Sequence, residues 1–172
     1  MAESQGFYRI QIRKEALKFS AAHMTVFADG TKENLHGHNY RTGVAVEFEN
    51  FSLSEMLPFA DVKRAMKKIC DAWDEKVLLP EHCPHARILS RGDGSAKTSV
   101  EAEVCGKRYV IPSDEVVFLP VDNITTESLA KVFSDRLLAE LPRATLERAK
   151  VRSVEATVEE MLGQGATYVV RY

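Results

Sequence analysis

The chain predicts an α+β architecture: strands and two helices in the order ββααββ, with a small inserted hairpin. Three observations lead there. Stretches near both ends alternate apolar and polar residues with the two-residue period of strands. Two internal stretches, residues 62–73 and 129–141, repeat apolar residues at helical spacing. Between them, residues of about 81–115 contain a Gly-centred turn that reads as a small inserted hairpin.

The bulk numbers fit one domain over 1–172, with the insertion at about 81–115. A length of 172 residues allows a sizeable core, and 45% hydrophobic with 28% charged residues is ordinary for a globular protein. A net charge of -2 gives no electrostatic case for nucleic acid or an anionic membrane surface. No apolar run is long enough for a bilayer, and no signal-peptide pattern opens the chain. Three cysteines without regular spacing argue against a disulfide framework and suit a reducing cytoplasm.

The first strand is expected over 7–12, where Tyr8, Ile10 and Ile12 alternate with Arg9 and Gln11. It continues, bent, through 17–23, where Leu17, Phe19, Ala21 and His23 share a face. Residues 24–35 form a polar loop with the turn signal Ala28-Asp29-Gly30. The second strand, 36–48, puts His36, His38, Tyr40, Thr42, Val44, Val46 and Phe48 on one face. Gly37 leaves room for a close approach by another segment or a ligand.

After Pro58, Val62, Ala65, Met66, Ile69, Cys70 and Trp73 mark the first helix, with Cys70 a buried apolar group in its stripe. Glu81-His82-Cys83-Pro84-His85 has ligand-type residues, but nothing pairs with it at a metal-site spacing, so it reads as surface loop. The hairpin strands are expected over 100–105 and 108–111, around Gly106-Lys107. Leu129, Val132, Phe133 and residues 137–141 give the second helix, with Thr125 as N-cap, Glu127 in its first turn and Pro142 at its end. Strands over 151–160 and 166–172 follow, joined by a turn at Gly163.

Two features carry chemistry. His23 ends one core-facing row and His36 and His38 begin the next, so a hairpin brings three imidazoles together. Taken singly, each reads as a hydrogen-bonded histidine; three on apolar strand faces point to a metal with an open fourth position. Glu160 shares the face of Val154, Ala156 and Val158, and a core-side carboxylate must find donors or stay protonated. A ligand with paired N–H groups would satisfy it; a register break after Val158 would instead turn it outward.

Phe19-Ser20-Ala21-Ala22-His23, His36-Gly37-His38-Asn39-Tyr40, Thr125-Thr126-Glu127 and the late Glu160 strand together resemble the 6-pyruvoyl-tetrahydropterin synthase family, which includes 6-carboxytetrahydropterin synthase. The resemblance covers most of the chain outside the insertion. It implies the tunnelling fold, a four-stranded antiparallel sheet with two helices packed on one face, together with an enzyme with zinc on His23, His36 and His38, and a pterin ring held by Glu160 and by Thr125, Thr126 and Glu127. It also implies a homo-oligomer, a trimer or dimer of trimers, with active sites at subunit interfaces.

The family's catalytic residues match less well. Lys32 stands where the synthases carry a cysteine, and Glu75 follows Asp74 where they carry a histidine. Glu33, in Glu33-Asn34-Leu35-His36-Gly37-His38, resembles a subgroup that cleaves the side chain of dihydroneopterin to give 6-hydroxymethyl-dihydropterin. That resemblance implies Glu33 as the acid/base, a role that suits a carboxylate only if partial burial raises its pKa toward neutrality. Asp74 or Glu75 is then a candidate to share the proton relay and Lys32 to contact a side-chain phosphate; the alternatives are a solvated Lys32 and Glu33, and Asp74 as a loop cap. Two other readings stay open: a synthase acting on dihydroneopterin triphosphate, and a non-catalytic pterin- or metal-binding protein.

Overall fold

The computed structural model describes residues 6–49 and 55–172. Residues 1–5, part of the N-terminal stretch in which no signal peptide was read, lie outside them. The strands are β1 (Tyr8–Ile12), β2 (Lys18–His23), β3 (His36–Phe48), β4 (Lys76–Pro80), β5 (Ala86–Ser90), β6 (Ser99–Val104), β7 (Lys107–Pro112), β8 (Val116–Leu119), β9 (Val151–Met161) and β10 (Gln164–Arg171). The helices are α1 (Phe59–Trp73), α2 (Thr126–Glu140) and α3 (Arg143–Arg148).

The expected antiparallel unit is present. β1 and β2 are two segments of one bent strand, both antiparallel to β3, with Ile12 opposite Val44 and Lys18 opposite Arg41. β9 pairs with the other edge of β3, and β10 with β9. α1 and α2 cover one face. Alternation puts Phe19, Tyr40, Val44, Val46, Val154, Ala156 and Val158 under them, against Met66, Trp73, Leu129 and Phe133. Phe19 stacks on Tyr40 at 4.8 Å and meets Trp73 edge-on at 5.2 Å.

Three features go beyond the expected plan. β4 joins β2 in parallel and β8 joins β4 in parallel, so the sheet runs β10-β9-β3-β2-β4-β8. Their apolar runs are short and do not alternate, which leaves no period to read. The inserted hairpin gains a third strand and forms its own sheet, β5-β6-β7. It closes a second cluster in which Val100, Ala102 and Val104 meet Met24, Val26, Leu79 and Cys83. Lastly, Pro142 ends α2 but also opens the short α3, since proline is tolerated where a helix starts.

β9 and β10 are joined through a bulge at Gln164/Gly165. There a Cβ on Gly165 would lie 2.5 Å from the Val158 carbonyl oxygen, so only glycine lets the strands close. Among the described residues no helix is long and apolar enough to cross a membrane.

Candidate metal centre and cleft

The three histidines converge because of strand register. His23 closes β2 directly opposite His36, and His38 lies opposite Ala21. Gly37 passes close to β2: its Cβ would sit 3.3 Å from the Ala21 carbonyl oxygen. Ring centroids are 4.7 Å apart for His23–His36, 4.8 Å for His36–His38 and 5.4 Å for His23–His38. One ring nitrogen from each falls within 4.8 Å of the others.

The hydrogen bonds say which nitrogens are available. His23 Nδ1 is 3.0 Å from the Ile124 carbonyl oxygen, and His36 Nδ1 is 2.8 Å from that of Asn34. A carbonyl only accepts, so each Nδ1 donates its proton and each Nε2 keeps a lone pair. Among the described residues the Nε2 atoms of His23 and His38 are buried without a hydrogen-bond partner. Burial pushes the His23 pKa down, which keeps that ring neutral and able to coordinate. Buried ring nitrogens converging from three imidazoles fit a cation, and nitrogen donors in this number suit zinc.

Beside the triad opens a cleft of about 610 Å³, lined by Ser20, Ala22, His38, Glu75 and Glu160 among others. Glu160 did not turn outward. Its side chain is 17% exposed, and Oε1 lies 2.9 Å from His38 Nε2. The contact is close but lacks hydrogen-bond alignment, so it is a charge set against the ring. The cross-strand pairing Arg41↔Glu159 carries β9 to this position, one residue short of Glu160.

Glu33 sits at the mouth of the triad, with Oε2 4.0 Å from His36 Nε2. Its loop is held by the Val26↔Lys32 bridge and by the Glu33 amide donating to the Thr25 carbonyl oxygen at 2.9 Å. Here the expected electrostatics are reversed. The side chain is 43% exposed, and its pKa is lowered, chiefly by the Thr25 hydroxyl and then by the nearby His36 and His23. Little burial is present to push it up, so Glu33 is a carboxylate at neutral pH.

Asp74 and Glu75 part ways. The Asp74 carboxylate accepts from the Ser20 amide at 2.7 Å, tying the end of α1 to β2. Glu75 takes a left-handed backbone conformation, φ 56°, donates its amide to the Ser20 carbonyl oxygen, and lines the cleft. Lys32 points to the insertion, its ammonium 5.2 Å above the Tyr109 ring.

Thr125 caps α2: its hydroxyl accepts from the Ser128 amide, and the Ser128 hydroxyl accepts from the Thr125 amide. Glu127 is exposed, its pKa lowered first by the Thr125 hydroxyl, and Thr126 lies beside it. The cap follows Ile124, whose carbonyl holds His23, but Thr125, Thr126 and Glu127 are not among the residues that line the cleft of their own chain. At 81–85, Cys83 is buried in the second cluster and His85 rests against Gly30; the described residues gather no second metal-type group there.

Sequence reasoning placed Tyr40 in the histidine row without a role. Its ring lies 5.8 Å from His38 and 6.1 Å from His23, and its buried hydroxyl has no hydrogen-bond partner among the described residues. Burial, then Glu160 and Glu33, hold that phenol protonated. The carbonyls of Ile124 and Asn34 also escaped notice, because backbone groups leave no mark in residue type.

A family model described as 6-pyruvoyl tetrahydropterin synthase matches residues 11–170. Two archaeal relatives carry the name "Putative 6-carboxy-5,6,7,8-tetrahydropterin synthase". That of Methanocaldococcus jannaschii is 32% identical over 153 residues, covering 88% of this chain and 89% of its own. That of Pyrococcus horikoshii is 26% identical over 136 residues, 78% of each. In structure, the 6-pyruvoyl tetrahydropterin synthase of Plasmodium vivax superposes with a TM-score of 0.86 at 22% identity, covering 97% of this chain and 99% of that one. The Plasmodium falciparum synthase gives 0.84 at 20% identity, covering 96% and 99%. Two further Plasmodium vivax structures are described as mutants in which a catalytic glutamate is replaced by alanine or cysteine.

Proposed function

Since this chain belongs to the 6-pyruvoyl tetrahydropterin synthase family of pterin-biosynthesis enzymes, we propose that it cleaves the position-6 side chain of a dihydropterin. The substrate in this reading is dihydroneopterin or its phosphate, and the product is 6-hydroxymethyl-dihydropterin. The observation that carries it is the Glu33 carboxylate beside His36, on the loop where the sequence has no cysteine to offer. A catalytic glutamate in a protein of the same fold supports it.

Glu160 accepts from the N–H edge of the pterin ring and fixes its orientation in the cleft. Zinc held by His23, His36 and His38 would supply Lewis acidity to a side-chain hydroxyl. Glu33, ionised and exposed at the mouth, takes the proton from the hydroxyl beyond the bond to be broken. The carbon–carbon bond breaks, an aldehyde leaves, and its electron pair enters the conjugated ring. Glu33 then returns the proton to the retained carbon, so no external oxidant or reductant is needed. Glu75 is placed to share that proton through water; Asp74 positions β2 against α1.

Thr125, Thr126 and Glu127 then serve the cleft of a neighbouring subunit, which makes a homo-oligomer, a trimer or dimer of trimers, part of the same proposal. Three free thiols suit a cytoplasmic setting.

Incubation with dihydroneopterin and mass spectrometry of the products tests the reading. Hydroxymethyl-dihydropterin and a two-carbon aldehyde are expected. Glu33→Gln should cost roughly a hundredfold or more in turnover, with zinc content unchanged; full turnover by that variant rejects Glu33 as the proton carrier. The archaeal relatives' names favour a second reading, a 6-carboxy-tetrahydropterin synthase acting on dihydroneopterin triphosphate. Offering the triphosphate in parallel separates the two.

A further inference from the structure

We propose that the inserted sheet β5-β6-β7 is the brace of the loop that carries Glu33, with Tyr109 as its main positioning residue. This rests on the reading of Glu33 as proton carrier. Four contacts join the insertion to residues 24–35. The Lys32 ammonium lies over the Tyr109 ring at 5.2 Å, and the same Nζ donates to the Glu33 carbonyl oxygen at 2.8 Å. Cys105 Sγ donates to the Thr31 carbonyl oxygen at 3.8 Å. The His85 ring stands 3.5 Å from where a Cβ on Gly30 would be. Met24 and Val26 are buried against Val100, Ala102 and Val104 of β6.

The loop is therefore pinned at its root by apolar burial and along its tip, residue by residue from 30 to 32, by side chains of the insertion. A brace matters because Glu33 is itself exposed: the Val26↔Lys32 bridge and its own amide bond to Thr25 tie the loop only to itself, no core packing at Glu33 adds to them, and proton transfer tolerates little displacement. Lys32 fits the role of a strut. Its charge is directed at an aromatic face and its N–H at the backbone of Glu33, which links the inserted sheet to the carboxylate through two contacts.

The test joins hydrogen exchange to a double-mutant cycle. Tyr109→Ala should speed amide exchange across residues 27–33 while β9 and β10 exchange as before. It should lower kcat on dihydroneopterin about tenfold or more, with KM and zinc content held, and Tyr109→Phe, which keeps the ring face, should restore most of that loss. In the Glu33→Gln background Tyr109→Ala should cost nothing further. Additive losses, or unchanged exchange in the loop, overturn the brace. If Glu33→Gln retains full turnover, the reading of Glu33 falls instead, and the exchange arm still decides the brace. Should Tyr109→Ala not fold, Lys32→Met carries the same exchange test from the other side of the contact.

Discussion

At His23 one ring nitrogen gives its proton to the Ile124 carbonyl, and that decides what the other can do. Nε2 is left as a buried lone pair with no hydrogen-bond partner among the described residues, an arrangement that costs stability unless a cation takes it. His23→Ala and His36→Ala should each reduce bound metal sharply, read by elemental analysis after gel filtration. Glu33 works the other way, being open to water and held ionised by Thr25. A lowered pKa means the base form persists below the ordinary value of 4.5, so the acid limb of kcat/KM assigned to Glu33 lies in that low range. Thr25→Val removes the donor that lowers it and should move the limb upward; a pH profile that does not shift would detach Thr25 from Glu33. Cys70 offers a control away from the site. It is buried, beside the Thr42 hydroxyl, and burial raises its pKa, so the native protein should show one thiol, the half-buried Cys105, reacting ahead of the others in a thiol titration.

At the scale of elements, α2 begins where its cap says it should. Thr125 and Ser128 exchange bonds at the first turn, and Thr125→Ala should cost about 1 kcal/mol in urea unfolding. The same substitution tests for a second role: a loss of pterin affinity beyond that expected from a frayed helix end would place Thr125 at a substrate. The β9–β10 turn depends on Gly165, and a Cβ there meets backbone rather than a movable side chain. Gly165→Ala should therefore destabilise by about 1–3 kcal/mol, measured by the same unfolding curve. The helices α1 and α2 and the long strands were readable because each keeps one period over many residues. β4 and β8 were not, because their short apolar runs do not alternate, whereas β1, no longer than β4, alternates and was readable.

On the whole-molecule scale, one sheet supplies the metal-type ligands and Glu160, while the helix cap lies outside the cleft of its own chain. With a protomer of 19.3 kDa, sedimentation equilibrium should give a trimer or hexamer mass; a monomer that turns over dihydropterin at full rate would defeat the shared-site proposal. Stripping the metal should lower the melting temperature and zinc should restore it, since a ligand bound by the folded state alone stabilises that state. The second cluster beneath the insertion extends the first around β4 and β8, and it ties the loop of Glu33 to the body of the protein.

Alternation alone leaves Glu160 facing inward or outward, whereas the order of the principal elements, the facing of His23, His36 and His38, and the Thr125 cap follow from residue type and spacing. Each depends on alternation or on a local hydrogen bond, and neither needs distant neighbours. What only the tertiary structure decided is where charges and protons reside. The lone pairs at the triad depend on carbonyls of Ile124 and Asn34, the low pKa of Glu33 on exposure and Thr25, and the use of Asp74 on the Ser20 amide. These are properties of surroundings assembled from separate parts of the chain, and no single stretch of sequence contains them.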